Sequence, residues 1–196
     1  MNEHNSLQEL RRWIRALYLQ EDTMRQLQQS FCEQPCLAHL RLHDFLSQHE
    51  AATLLHHLKK TTARLEAVPD RHSFRWIDIT RELQPFLAFL ASPLFLRYLQ
   101  QITGLPLTGS PEINLLRFEK GDYTLLHDHD IRKDALMVTF EFTEHWENIF
   151  GGYDAYLARA EEPLLLYPNM NTLTLVHRTQ QTQQFTKYVN HLARYH

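Results

Sequence analysis

The residues of this sequence best suited to chemistry form one short run, His-Asp-His-Asp, at positions 127–130. If the strand before this run continues through it, side chains alternate between faces, so His127 and His129 share a face with Leu125. The apolar Leu125 indicates that this face is the inner one. Two imidazoles at positions i and i+2 can bind one iron, zinc or copper ion. The alternative is a polar strand end, because two ligands do not complete a metal site.

The other residues of metal-binding type are scattered. His177, His191 and His196 are further candidates, but spacing alone cannot bring any of them to the run at 127–130. Cys32 and Cys36 lie close together, yet two thiols do not fill a tetrahedral zinc site, and a cytosolic setting disfavours a disulfide. We interpret them as reduced thiols near a helix end.

Composition restricts the class of protein. The chain has 196 residues, 43% of them apolar, and a net charge of −3, which is typical of one globular domain. A nucleic-acid binder usually has a basic footprint, so direct binding of nucleic acid is not expected. No apolar run approaches the roughly 20 residues of a membrane span, so no membrane association is expected either. The first ten residues contain no secretion signal, and we expect a cytoplasmic location.

The elements that must position these residues divide near Gly104. Before it, apolar residues recur at helical spacing after three start signals: capping boxes at 6–9 and 47–50, and the pair Ser92-Pro93. Gly104 is placed to end the last of these helices. The stripes predict a mainly helical part over residues 1–104.

After Gly104 the apolar pattern changes to a period of two residues. It predicts short strands separated by turn residues, at 113–118, 123–127, 135–142, 152–157, 163–167, 172–177 and 185–189. Such strands are typical of an antiparallel sandwich or barrel. We predict one α+β domain over 1–196, with a β part over 105–196 braced by the helices.

Several motifs occur in a characteristic order: a strand, Gly-Asp-Tyr, an apolar pair, His-Asp-x-Asp, a further strand, Trp…Gly-Gly, and Pro-Asn-x-Asn before an apolar strand. This order resembles the 2-oxoglutarate and iron(II)-dependent oxygenases of the prolyl-hydroxylase type. The resemblance extends to the non-catalytic C-terminal half of the two-domain prolyl hydroxylases that modify a ribosomal protein. The segments that carry it are 13–19, 121–128, 145–147, 151–153, 171–178 and 185–191.

The resemblance implies a double-stranded β-helix, a jelly-roll or cupin-like fold with N-terminal bracing helices. It also implies a role for single residues. His127 matches the first iron ligand, His129 stands where active members have a carboxylate, and Asp130 lies one residue late. Gln184 stands where the distal histidine is expected. Arg194 is the residue left to bind 2-oxoglutarate.

Three functions follow from these matches. The leading expectation is an oxygenase-fold protein with a degenerate metal site and no cofactor, which binds a protein or peptide or supports a separate catalytic chain. The second is an active or altered-site prolyl hydroxylase that uses 2-oxoglutarate, with iron on His127, His129 and Asp130 or another histidine. The third is a cupin-like metal protein that does not use 2-oxoglutarate. For the binding module, Trp13 and Tyr18 are candidate contact residues, unless they pack in the core.

Overall fold

The computed structural model describes residues 3–126, 134–158 and 162–193. Within these ranges the helices are α1 (Glu3–Trp13), α2 (Glu21–Cys32), α3 (Gln48–Lys60), α4 (Gln84–Leu90) and α5 (Pro93–Thr103), with 3-10 turns at Ala16–Leu19 and Asn148–Phe150. The strands are β1 (His39–His43), β2 (Ala63–Val68), β3 (His72–Ile77), β4 (Leu116–Arg117), β5 (Tyr123–Thr124), β6 (Ala135–Phe142), β7 (Asp154–Leu157), β8 (Leu164–Leu166), β9 (Met170–Arg178) and β10 (Gln183–Thr186).

The strands form three antiparallel sheets. One has the order β1-β9-β6, the second has the order β8-β7-β10, and the third has the order β2-β3-β4 with β5 also paired to β3. Two strands that are adjacent in the first sheet, β1 and β9, are more than a hundred residues apart in the chain. The helical and β parts of the chain are therefore tied together by a long-range strand pair.

The helices pack on one face of the β1-β9-β6 sheet. Alternate residues of these strands, such as Leu42 and Leu173, belong to the same buried cluster as the helix residues. Phe140 of β6 shows the packing well, because its ring lies 5.3 Å from that of Phe86 and 6.1 Å from that of Phe95. The largest core thus lies between the helices and this sheet.

The helix start and stop signals in the sequence have different outcomes in the structure. Ser92 caps α5, since its hydroxyl accepts a hydrogen bond of 3.1 Å from the Phe95 amide, and Gly104 ends that helix with a left-handed φ of 71°. Ser47 precedes α3, but its hydroxyl donates to the Arg12 carbonyl instead of capping the helix. The box at 47–50 nevertheless marks the start of α3 correctly, whereas the box at 6–9 is wrong as a start signal, because α1 already begins at Glu3.

The strands expected after Gly104 are all present, which confirms the α+β class. The structure also has three strands before Gly104, namely β1, β2 and β3, which the helical pattern did not predict. Short strands of mixed charge carry little signal of their own, since strand preference depends on the partner strand. For β1 that partner is β9, at the far end of the chain.

Trp13 and Tyr18 are wrong as exposed contact residues. Trp13 is 4% exposed, and its ring stacks on Phe89 at 5.4 Å. Tyr18 is half-buried, and its hydroxyl donates a 2.6 Å hydrogen bond to the His43 carbonyl. Both rings join α1 and the following turn to the core, as an amphipathic helix does.

In the part of the chain that the structure describes, no helix combines the length and the apolar character needed to cross a membrane.

Candidate functional site

The β1-β9-β6 sheet has a second face, and this face looks towards the β8-β7-β10 sheet. Cross-strand partners share a face, so Glu141 lies with Thr172, and Thr139 lies with Thr174. These residues alternate with the apolar side chains that meet the helices. The inner face of this sheet is therefore largely polar.

The inner face of the opposite sheet is set by β7. Asp154 of β7 pairs with Thr186 of β10, and Tyr156 pairs with Gln184. Tyr156 belongs to a buried cluster that also contains Val176 of β9. The two sheets thus enclose one interior, to which β7 and β10 contribute an acid, a phenol, a hydroxyl and a carboxamide.

Tyr156 lies at the centre of this interior. It is 1% exposed, and burial raises the pKa of its phenol, with nearby Asp154 acting in the same direction. The Thr139 hydroxyl is its hydrogen-bonding neighbour, and Arg178 is close enough to oppose the rise. The Thr139 contact places β6 opposite β7, and burial keeps the phenol in its neutral form.

Glu141 is the most enclosed carboxylate on the β6 side, with its side chain 11% exposed. It accepts a 3.0 Å hydrogen bond from Arg41 of β1 and a 3.1 Å bond from the Asn169 amide. Burial nevertheless raises the pKa of Glu141 to about 7, because desolvation outweighs Arg41, and Asp154 adds to the rise. A carboxyl that titrates near neutrality therefore faces the interior.

Asp154 is the carboxylate on the opposite wall. It accepts a 2.7 Å hydrogen bond from the Thr186 hydroxyl, and among the described residues no cation pairs with it. Burial raises the pKa of Asp154 to about 6. With respect to the described residues, Asp154 thus has capacity left to accept hydrogen bonds or a positive charge.

Three buried polar atoms of the inner face lack a hydrogen-bond partner among the described residues. They are the Nε atoms of Arg41 and Arg178 and the Oγ1 atom of Thr174. Buried polar atoms are normally paired, and an unpaired one costs about 1–3 kcal/mol. This face therefore has hydrogen-bonding capacity that the described residues do not satisfy.

A cavity of about 1930 Å³ opens beside this interior. It is lined by Gln184 and Thr186 on one side and by residues of α5, such as Leu99, on another. Side chains from both faces of β6 line it, including Phe140 from the helix side and Glu141 from the inner side. The cavity therefore extends around the edge of β6.

The Gly-Asp-Tyr motif has a structural role. Asp122 is 2% exposed and accepts hydrogen bonds from the Ser73 hydroxyl, the Arg75 guanidinium and the Glu119 amide. These bonds fix the turn before β5 against β3. Thr124 of β5 then accepts a 2.7 Å bond from the Thr186 amide, which ties β5 to β10.

The Trp…Gly-Gly motif is also structural. Trp146 donates a 2.9 Å hydrogen bond to the Gly151 carbonyl. A Cβ atom on Gly152 would lie 2.8 Å from the Trp146 ring and 3.1 Å from Val189. Only glycine fits between these side chains, so the motif packs the segment after β10 against the 3-10 turn at 148–150.

The sequence-predicted site residues have different outcomes. His127, His129, Asp130 and Arg194 lie outside the described residues, as does His196. Gln184 is described: it lies on β10 and faces the interior beside Tyr156.

The remaining histidine candidates are not brought to the interior. His177 pairs with Leu136, whose side chain packs on the helical core, so it faces away from the interior. His191 is exposed in the turn after β10. Within the described ranges, no three His, Cys, Asp or Glu side chains are arranged to hold a metal ion.

The interior residues Glu141, Asp154, Tyr156 and Arg178 were missed by the sequence analysis. Their signal is a polar residue at alternate positions of an otherwise apolar strand, as in Thr139-Phe140-Glu141. Such a pattern is ordinarily assigned to a solvent-facing side. Here a second sheet covers that side.

Comparison with known proteins decides the family. The family described as "Oxoglutarate and iron-dependent oxygenase degradation C-term" matches residues 5–76 and 69–195. The chain belongs to this family. The resemblance inferred from the motifs is thereby confirmed.

Two curated relatives of this chain are prolyl 3-hydroxylases. The OGFOD1 protein of Xenopus laevis is 26% identical over 223 residues, which cover 91% of this chain and 43% of that protein. The OGFOD1 protein of Mus musculus is 39% identical over 80 residues, which cover 39% of this chain and 15% of that protein. The chain thus spans less than half the length of these relatives.

Solved structures confirm the fold of this chain. A 2OG-Fe(II) oxygenase family oxidoreductase from Burkholderia pseudomallei has a TM-score of 0.63 at 13% identity, covering 87% of this chain and 86% of its own. A Pseudomonas putida prolyl-4-hydroxylase has a TM-score of 0.63 at 14% identity, covering 85% and 92%. A Trichoplax adhaerens prolyl hydroxylase, solved with a hypoxia inducible factor peptide fragment, has a TM-score of 0.63 at 13% identity, covering 96% and 88%. The chain has the oxygenase fold.

Proposed function

We propose that this chain is a double-stranded β-helix module that binds a segment of a protein partner and does not catalyse an oxygenase reaction. The observation that carries the proposal is the inward-facing Gln184 on β10. By its resemblance to active members, this position would hold the distal histidine. Iron(II) sites of such enzymes use two imidazoles and a carboxylate, and a neutral carboxamide is a poor replacement.

The described part of the interior does not fit an iron centre. The side chains that β7 and β10 direct inward include Asp154, Tyr156, Gln184 and Thr186, and none is an imidazole or a thiolate. Tyr156 is buried beside Gln184 and fills space next to it. β7 and β10 therefore supply no histidine ligand for iron.

The same interior supports binding. The cavity of about 1930 Å³ exceeds the roughly 300–1,000 Å³ typical of small-molecule pockets. It borders polar atoms that have no hydrogen-bond partner among the described residues, such as Arg178 Nε. The Trichoplax relative was solved with a peptide fragment, and the Xenopus and mouse relatives are prolyl hydroxylases. A protein or peptide partner is the class that suits this cavity.

The metal side of the proposal is tested by anaerobic reconstitution with iron(II). We expect no bound iron after desalting and no change of melting temperature with iron(II) and 2-oxoglutarate together, because a ligand that binds the native state would raise it. About one iron per chain, lost in His127→Ala, with stabilisation by 2-oxoglutarate, would establish the oxygenase instead. Bound iron with no change of melting temperature on adding 2-oxoglutarate would establish a cupin-like metal protein.

The binding side is tested by selecting a random peptide library on the metal-free protein. We expect peptides whose dissociation constants, measured by fluorescence anisotropy, are unchanged by a chelator. Failure to recover any peptide, or binding that requires iron and 2-oxoglutarate, would contradict the proposed module.

A further inference from the structure

Strand β6 has an edge without a partner among the described strands. It pairs with β9 over eight residues, Ala135–Phe142. In the described ranges no other strand or loop backbone bonds to its second edge. An open edge presents a row of N–H and C=O groups that can pair with another extended chain.

The open edge of β6 faces the cavity. Cavity-lining residues come from the helix-facing side of β6 and from its inner side. The former are Leu136, Val138, Phe140 and Phe142, and the latter are Met137, Thr139 and Glu141. An extended chain placed beside β6 would therefore have an apolar wall on one side and a polar wall on the other.

The position beside β6 lies opposite β10. Glu141 and Thr139 place β6 over β7, because they act on Asp154 and Tyr156. β7 has two neighbours in its own sheet, β8 and β10, and β8 lies under β9, because Leu166 of β8 and Val176 of β9 share a buried cluster. The next strand position beyond β6 therefore covers Gln184, whose carboxamide makes no hydrogen bond to the described residues.

We propose that β6 accepts an extended segment of another protein as an added strand, in which apolar side chains alternate with basic ones. This rests on the proposed function and specifies its partner. The apolar side chains pack against the wall formed by residues such as Val138 and Phe140. The basic ones face the interior, where Asp154 pairs with no cation among the described residues, and Glu141, which pairs with Arg41 at 3.0 Å, adds a second acid.

The chemistry of the edge selects an extended backbone. Strand addition gains main-chain hydrogen bonds for affinity and uses alternate side-chain pockets for specificity. Gln184, whose carboxamide makes no hydrogen bond to the described residues, can pair with either the backbone or a basic side chain of such a segment.

Hydrogen exchange tests the proposal on the peptides selected with the metal-free protein. We expect alternate amides within Ala135–Phe142 to exchange at least about tenfold more slowly in the complex, since they form new ladder bonds. Amides of β8, an edge strand of the β8-β7-β10 sheet, serve as the control, and their exchange rates are expected to remain unchanged. Protection confined to other segments would overturn the strand addition and leave the binding module standing. Absence of any selected peptide would remove both.

Modified peptides give a second readout. A peptide N-methylated on one alternate set of residues is expected to lose binding, while methylation of the other set is tolerated, because only one set faces β6. Asp154→Asn should weaken basic peptides by about tenfold, as removal of a facing charge does. Glu147→Gln, at an exposed position outside the cavity lining, is the control. Equal losses for the two methylated sets, or for the two variants, would contradict the proposal.

Self-association is the remaining alternative occupant. Sedimentation of the free protein at increasing concentration is expected to show no growth in mass. A dimer whose formation protects the β6 amides would assign the edge to a second copy instead of a partner.

Discussion

Gln184 and Tyr156 are direct cross-strand partners on β10 and β7, and both face the interior between the two sheets. Tyr156 is fully buried, and the carboxamide of Gln184 is left beside the cavity. A histidine at position 184 would project into the same place. These two residues therefore distinguish this interior, which a phenol closes, from one that binds a metal through a histidine at position 184.

Replacement of Gln184 by histidine is the direct test of that relation. We expect Gln184→His to raise the affinity for iron(II) or cobalt(II) by at least about tenfold, because an imidazole replaces a weak donor in an inward position. The measurement is metal stoichiometry and titration under anaerobic conditions. The matched control is Gln183→His, since Gln183 is exposed on the same strand. An equal gain in both variants would show that the interior has no special role.

Glu141 predicts a particular pH dependence of stability. Its pKa rises from an ordinary 4.5 to about 7 in the folded protein, so the folded state binds the proton more tightly than the unfolded state does. The stability associated with this carboxyl is full below about pH 4.5 and is lost as the pH rises through about 7. Glutamine cannot lose a proton, and Glu141→Gln should become more stable relative to the wild type as the pH rises.

Urea unfolding at about pH 5 and about pH 8 measures this effect. We expect the difference in free energy of unfolding to shift in favour of Glu141→Gln by about 2–3 kcal/mol between the two conditions. Glu147→Gln, at an exposed position, should show no comparable shift. A difference between Glu141→Gln and wild type that does not change with pH would contradict the raised pKa.

Sequence pattern predicted the second half of the chain better than the first. The strands after Gly104 have local alternation and clear turn residues, and each is present. β1 was not predicted because it forms by pairing with β9, which lies more than a hundred residues away in the chain. Period alone cannot detect a pairing that depends on such a distant partner.

The candidate site was predicted less well, for a physical reason. Alternation shows that Glu141 and Asp154 oppose the apolar face of their strands, but it does not show whether water or a second sheet covers the other face. Only the tertiary structure reveals that Tyr156 closes the space between them. The residues predicted for the metal, His127, His129 and Asp130, lie outside the described residues, and their role stays a prediction.

Asn171 is predicted to anchor the entry into α3. It has a left-handed φ of 51°, and its side chain both accepts a 2.9 Å bond from the Leu46 amide and donates a 3.0 Å bond to the Leu46 carbonyl. Asn171→Ala would leave two buried backbone groups unpaired, and we expect a loss of about 2–4 kcal/mol in the free energy of unfolding.

Denaturant unfolding of two further variants isolates the cause. Asn171→Gly keeps the backbone conformation but removes the bonds, so it should recover only the part of the loss that comes from the positive φ. Asn114→Ala is the surface control, since the Asn114 side chain is exposed and donates a hydrogen bond to Glu112, which is also exposed. A loss as large in Asn114→Ala would contradict the anchoring role of Asn171.

Alanine at Gly152 is predicted to destabilise the fold through steric overlap, in addition to the cost of its positive φ angle. Both Gly152 and Gly121 have positive φ angles, of 64° and 94°, but a Cβ on Gly121 meets nothing within 4 Å, whereas one on Gly152 meets Trp146 at 2.8 Å. Alanine at either position should cost about 1 kcal/mol for the backbone, and at Gly152 about 1–3 kcal/mol more for overpacking. Thermal unfolding, with tryptophan fluorescence to report on Trp146, measures the difference. Equal losses in the two variants would mean that the Trp146 ring moves aside freely and that the motif does not fix the segment after β10.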